Sequence, residues 1–120
     1  MNEHDELLEK VLLRLKNNYF TNIKSILSES EKPVSINLEG IDTKYIPDIT
    51  AVKTGKHYIL EVETSDTLRS NEHDTVLKAI SKYAEANNTD FVVAVSIAVL
   101  IDAGKKLSQL KVDASVWDIQ

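Results

Sequence analysis

The apolar residues near the start of the chain recur with the spacing of a helix. Between His4 and Lys16 they stand three and four residues apart, at Leu8, Val11, Leu12 and Leu15. This spacing collects them on one face and predicts an amphipathic α-helix. The apolar residues that follow, as far as Leu27, are read as an irregular continuation of that helix before a polar break that ends at Pro33.

Two strand-like patterns come next. Val34, Ile36 and Leu38 alternate with polar residues, as in a half-buried strand. After a loop that contains Gly40, residues 48–64 predict a β-hairpin around Thr54-Gly55, because both arms are rich in β-branched residues.

The second half of the chain alternates helical and extended patterns. Residues 71–87 predict a helix with one apolar stripe, formed by Val76, Leu77, Ile80, Tyr83 and Ala84. Residues 91–95 are a continuous apolar run, which is typical of a central strand covered on both faces. Residues 100–110 predict a short helix, and residues 114–119 predict a last strand.

The predicted order is helix, three strands, helix, strand, helix, strand (αβββαβαβ). The step from the second hairpin strand through a helix to residues 91–95 should be a parallel, right-handed crossover. The sequence therefore predicts an α/β fold with a mixed sheet of about five strands flanked by helices. At 120 residues the chain has the length of a single domain, residues 1–120.

The predicted hairpin brings two acidic residues together. If Thr54-Gly55 is a two-residue turn, Lys53 pairs with Lys56, and Asp48 then lies opposite Glu61. Directly opposed side chains share one face of a sheet, with Cβ atoms about 5 Å apart. Such a pair is a candidate ligand set for a hard divalent cation.

Glu63 adds a third carboxylate, because it follows Glu61 by two positions and alternate residues of a strand share a face. Like charges this close predict either a bound cation or a raised carboxyl pKa. Two alternatives stay open. A three-residue loop with a bulge would oppose Asp48 to Leu60, and acids on the wet face of an edge strand would need no partner.

Composition limits the chemistry. The chain has no cysteine, which excludes disulfides, thiolate metal sites and a cysteine nucleophile. Its net charge of −5 argues against broad electrostatic binding of nucleic acid. Lys53, Lys56 and Arg69 remain candidates for local contacts with nucleic acid, the alternative being an ordinary solvated surface.

No apolar run approaches the roughly 20 residues that a membrane-spanning helix requires. The N-terminus is acidic where a signal peptide would be basic. We therefore expect a soluble, cytoplasmic protein that has no membrane partner.

Two short motifs resemble those of a known superfamily. Ile46-Pro47-Asp48-Ile49-Thr50-Ala51, followed after the hairpin by Leu60-Glu61-Val62-Glu63-Thr64, resembles the PD-(D/E)XK nucleases and in particular the small Holliday junction resolvases. The similarity runs over roughly residues 8 to 95, and the element order fits. It implies a restriction-endonuclease-like core and a nuclease activity that depends on Mg²⁺ or Mn²⁺.

The resemblance also implies roles for individual residues. Asp48 and Glu61 match the two metal-binding acids, and the Val62 carbonyl matches a further ligand. Glu9, on the first helix, is a candidate for the extra acid that many members place there. Glu63 stands where most members have lysine, and in the members that carry Glu there it acts as a metal ligand or general base.

Besides Glu63, the loop before Pro47 differs from that of the resolvases. It is basic in resolvases and holds two acids and one lysine here. His73, near the start of the second predicted helix, has two open interpretations. It either reaches the carboxylate site or a phosphate, or it is a hydrogen-bonded core histidine.

The preferred interpretation is a metal-dependent endonuclease-like domain that hydrolyses DNA, with branched or structured DNA as the substrate class that the resolvases suggest. A homodimer is expected because the domain is small. The alternative is a catalytically degenerate domain of the same fold that serves as a nucleic-acid- or protein-binding module. A third is a structural α/β protein whose acids bind nothing.

Overall fold

The computed structural model describes residues 2–27 and 29–120, which form one five-stranded sheet with helices on both faces. The strands in chain order are β1 (Thr21–Ser25), β2 (Ile49–Lys53), β3 (Lys56–Val62), β4 (Thr89–Ser96) and β5 (Ser115–Ile119). They keep this order in the sheet, with β1, β2 and β3 antiparallel and β3, β4 and β5 parallel. The predicted α/β fold class with a mixed sheet is confirmed.

The helices are α1 (Glu3–Asn17), α2 (Ser65–Arg69), α3 (Asn71–Ala86) and α4 (Leu100–Leu110). The apolar stripe of α1 packs on one face of the sheet, against residues such as Ile49 and Leu60. The stripes of α3 and α4 pack on the other face, around Ile59 and Val93. Residues 91–95 of β4 are all buried, because helices cover the sheet on both sides of this strand.

The hairpin between β2 and β3 has the predicted register. Thr54 and Gly55 both have positive φ, 49° and 78°, as a two-residue hairpin turn of type I′ requires. Lys53 pairs with Lys56, and the ladder runs on to Ile49 opposite Leu60. The alternative with a three-residue loop is therefore wrong.

The irregular continuation of the first helix is also wrong. α1 ends at Asn17, Asn18 caps it, and Tyr19 turns the chain with a φ of 66°. The apolar residues beyond lie just before β1, in it or after it, and β1 pairs with β2 at the edge of the sheet. Phe20 and Ile23 still pack against the same core as α1, so apolar residues recur in the chain beyond the end of the helix.

The strand predicted over Val34, Ile36 and Leu38 is not formed. Its pairing is limited to one isolated bridge between Ile36 and Tyr45. The segment has no neighbouring strand to complete a ladder, so it remains a loop that buries Leu38 in the core. β1 takes its place as the third antiparallel strand, and the short helix α2 is an addition to the predicted order.

Across residues 2–27 and 29–120, no helix combines the length and the apolar character needed to cross a membrane.

Candidate active site

Asp48 and Glu61 meet at the end of the hairpin that lies away from its turn. The backbone N–H of Asp48 donates to Glu61 Oε2 at 2.8 Å, and the backbone N–H of Val62 donates to Asp48 Oδ2 at 2.9 Å. These two bonds join the start of β2 to the end of β3 and fix both carboxylates. Asp48 therefore lies opposite Glu61, as the two-residue turn predicts.

Glu61 is buried, with 1% of its surface exposed. Its pKa is raised well above the ordinary range, mainly by burial and then by the negative charge of Asp48, with a smaller effect from Glu63. The Tyr45 hydroxyl donates to Glu61 Oε1 and opposes this shift by stabilising the carboxylate. Burial and the adjacent Glu61 charge raise the pKa of Tyr45 as well, so Tyr45 is a hydrogen-bond donor at neutral pH.

Glu63 is also 1% exposed, and both of its oxygens have partners. Thr67 Oγ1 donates to Glu63 Oε2 at 2.9 Å, and His73 Nε2 is hydrogen-bonded to Glu63 Oε1. The Thr67 hydroxyl in turn accepts from the backbone N–H of Thr64, within the capping box of α2. Glu63 is thus built into the junction between β3, α2 and α3.

The partner that α1 contributes is His4, which the sequence did not single out. His4 Nε2 lies 3.1 Å from Asp48 Oδ2, and Nδ1 lies 3.1 Å from Asp5 Oδ1. Glu9, the residue that the resemblance offered on this helix, is exposed. A histidine in the first turn of an amphipathic helix was the available signal, but nothing in the sequence placed that turn beside Asp48.

The hydrogen bond to Asp48 raises the pKa of His4 to about 9, so His4 is charged at neutral pH. The hydrogen bond that His73 makes with Glu63, together with the charge of Glu63, raises the pKa of His73 too. The charged imidazole of His4 on α1 therefore offsets part of the negative charge of the acids, and the imidazole of His73 on α3 is hydrogen-bonded to Glu63.

The basic residues proposed for nucleic-acid contact are spread over the surface. Lys53 and Lys56 flank the hairpin turn, five residues along the strands from Asp48 and Glu61, which is roughly 16 Å. Lys56 is engaged with Asn88 at 2.9 Å. Arg69 is exposed at the end of α2. Their role in binding nucleic acid stays a prediction.

The acids retain free acceptor capacity. A carboxylate has about four lone-pair positions, and Asp48 Oδ1 has no hydrogen-bond partner among residues 2–27 and 29–120. No group of three or more His, Asp or Glu side chains in the described part of the chain is arranged to hold a metal ion. A cation here would therefore depend on two carboxylates, a carbonyl and water, which is a donor set typical of Mg²⁺.

The hydrogen-bonded pair of His4 and Asp48 makes the stability of the metal-free protein depend on pH. The folded-state pKa of about 9 lies above the ordinary value of 6.5, so the stabilisation is complete below about pH 6.5 and is lost as the pH rises through about 9. Because His4 is partly exposed, we expect His4→Gln to cost about 1 kcal/mol at low pH. Urea unfolding in a chelator should show the stability difference between the wild-type protein and His4→Gln closing at high pH, and His57→Gln, at an exposed histidine of β3, is the matched control.

Comparison with known proteins bears on the fold. The chain is similar in structure to an XisH family protein from Nostoc punctiforme PCC 73102, with a TM-score of 0.59 and 16% sequence identity, over 94% of this chain and 91% of that chain. At this identity the similarity concerns the fold alone. No protein-family profile and no curated protein sequence matches the chain.

Proposed function

We propose that this domain hydrolyses phosphodiester bonds of nucleic acid, with DNA as the expected substrate and Mg²⁺ or Mn²⁺ as cofactor. The observation that carries the proposal is the opposition of Asp48 and Glu61. Two adjacent strands hold these acids together, although the negative charge of Asp48 raises the pKa of Glu61. A buried acid whose pKa is raised by burial and by a neighbouring carboxylate is a feature of functional sites.

The donor set fits a hard divalent cation. Asp48, Glu61 and the Val62 carbonyl would hold it, and Mg²⁺ characteristically uses one or two carboxylates and keeps several waters. When bound, such a cation stabilises charge on the phosphate and lowers the pKa of a coordinated water.

The chain's own contribution is to keep the two acids in place. Asp48 is oriented by the Val62 N–H and by His4, and Glu61 is oriented by the Asp48 N–H and by Tyr45. These partners come from α1, the loop before β2 and the hairpin itself. Since each carboxylate is held by two groups, neither has to be ordered when a ligand arrives.

A homodimer is the expected working form. The domain measures 32 × 31 × 25 Å, which is about one helical turn of duplex DNA, roughly 34–36 Å. One copy therefore presents one acid pair over a short stretch of backbone, and a second copy is needed to address both strands.

A binding module without catalysis is the second candidate, and the burial of the acids favours it. Glu61 and Glu63 are each 1% exposed. Tyr45 occupies one oxygen of Glu61, and His73 occupies one oxygen of Glu63. In this reading the imidazoles and the tyrosine replace the cation as partners of the acids, and the domain keeps the fold for assembly or binding.

A cation titration combined with a cleavage assay tests the proposal. Mn²⁺ and Mg²⁺ binding is measured by calorimetry, and cleavage is followed on four-way-junction, duplex and single-stranded DNA. We expect the wild-type protein to bind the cation and cut at least one form, and Asp48→Ala to lose both properties. Glu85→Ala, which removes an exposed acid from α3, is the matched control.

The outcomes separate the candidates. Cation binding without cleavage on any DNA form would favour the binding module. Absence of both binding and cleavage in a folded wild-type protein would rule out the metal-dependent activity.

A further inference from the structure

The Glu63–His73 pair has a buried end and an exposed end. The Glu63 side chain is 2% exposed, whereas the His73 side chain is 23% exposed. Both Glu63 oxygens are used, one by Thr67 and one by His73 Nε2. His73 Nδ1 has no hydrogen-bond partner among the described residues. The free polar atom of the pair therefore belongs to the imidazole, on the solvent side.

The position of the ring is set by more than this one hydrogen bond. Ser70 caps α3, and its Oγ accepts from the backbone N–H of His73 at 3.3 Å. Thr67, itself held in the capping box of α2, fixes the other oxygen of Glu63. A carboxylate that is anchored in this way orients a histidine ring and selects its hydrogen-bonding state.

We infer that His73 is a substrate-contacting residue that binds the substrate phosphate, and that Glu63 orients the His73 ring rather than binding metal or acting as a base. The inference rests on the proposed hydrolysis of phosphodiester bonds. It replaces the two roles that the resemblance implies for Glu63, metal ligand or general base, and it gives His73 a role beyond packing.

Electrostatics explains why such a residue is needed. The site presents Asp48, Glu61 and Glu63 to an anionic substrate, so a hydrogen-bond donor beside the phosphate offsets repulsion and stabilises charge in the transition state. His73 is the exposed donor on the Glu63 side of the cluster.

Substitutions at Glu63 distinguish orientation from direct participation. Glutamine still offers a carbonyl to the His73 N–H and an amide to the Thr67 hydroxyl, whereas alanine offers neither. We expect Glu63→Gln to keep most of kcat, and Glu63→Ala to lose as much as His73→Ala, about a hundredfold. Equal loss in Glu63→Gln and Glu63→Ala would overturn the assignment, because a ligand or base needs the charge.

His73→Ala should lower kcat while Mn²⁺ affinity stays close to that of the wild-type protein. His57→Ala is the matched control, since His57 is an exposed histidine on β3. Cleavage by His73→Ala at the wild-type rate would contradict a phosphate contact. Urea unfolding midpoints of all variants separate loss of fold from loss of function.

A measurement without turnover keeps the inference apart from the proposed function. In protein labelled with ¹⁵N at its histidines, a DNA duplex is added in the presence of Ca²⁺, and the ring resonances are followed by NMR. We expect the His73 signals to shift and the His57 signals to stay. If the wild-type protein cuts no DNA, a His73 shift supports the contact although hydrolysis fails, and unshifted His73 signals overturn it.

Discussion

Glutamine in place of Glu61 should make the metal-free protein more stable and abolish its divalent-cation binding. Glu61 is buried, and its pKa is raised by burial and by Asp48, so the ionised form opposes folding. The amide oxygen of glutamine still accepts from the Asp48 N–H, and its NH₂ group donates to the Tyr45 oxygen. The substitution therefore removes a costly charge and keeps both contacts of the side chain, with Tyr45 changed from donor to acceptor.

The expected gain is about 1–2 kcal/mol in free energy of unfolding, which corresponds to roughly 5 °C in Tm. The sign follows from the raised pKa. A raised folded-state pKa means that the folded protein binds the proton more tightly, so wild-type stability falls as the pH rises from about 4.5 through the folded-state pKa. The advantage of Glu61→Gln should therefore grow with pH.

Thermal unfolding in a chelator and Mn²⁺ calorimetry measure the two effects together. Cleavage should fall at least about a hundredfold with the loss of the metal ligand. Glu85→Gln provides the comparison, since an exposed acid should change stability by less than about 0.5 kcal/mol. A destabilised Glu61→Gln protein, or one that still binds Mn²⁺ at wild-type affinity, would contradict our account of the site.

Lysine in place of Glu63 should destabilise the protein rather than restore a nuclease motif. The resemblance alone would suggest Glu63→Lys as a restoring substitution, because most members of the superfamily have lysine at this position. In the structure, however, this position is 1% exposed and lies between Thr67 and His73, both of which donate to it. A lysine would leave the His73 N–H without its acceptor and place a buried ammonium between two hydrogen-bond donors, at a cost of about 3–5 kcal/mol.

The double variant Glu63→Lys/His73→Glu tests that reason directly. It exchanges the acidic and basic members of the pair, so urea unfolding should show recovery of part of the stability that Glu63→Lys loses. Cleavage should not recover, because the group that faces the phosphate is then an acid. A Glu63→Lys protein that is as stable as the wild-type protein, or that cuts DNA faster, would show that the buried pair does not control this position.

Local signals in the sequence were sufficient for the hairpin and the central elements. The Thr54-Gly55 turn fixes the register of β2 on β3, because a two-residue turn with two positive φ angles leaves only one pairing. That register alone placed Asp48 opposite Glu61. The same holds for α3 and β4, because a helical stripe and a continuous apolar run can be recognised from the sequence of each segment alone.

The third antiparallel strand was not predictable in the same way. Residues 21–25 have little alternation, and their pairing includes an irregularity between Thr21 and Lys24. They form a strand because the edge of β2 is available to them. The better alternating segment around Ile36 has no such neighbour and forms a loop. Strand formation is decided by a partner, and the partner is distant in the chain.

The sequence by itself determined the acid pair, since Asp48 and Glu61 are joined by a short turn whose geometry is local. Only the tertiary structure decided what surrounds that pair. His4 reaches Asp48 across 44 residues, Tyr45 reaches Glu61 across 16, and His73 reaches Glu63 across 10. These contacts depend on how α1, the loop before β2 and α3 pack on the sheet. Packing is set by the whole apolar core, so spacing along the chain specifies the carboxylates but not the groups that balance their charge.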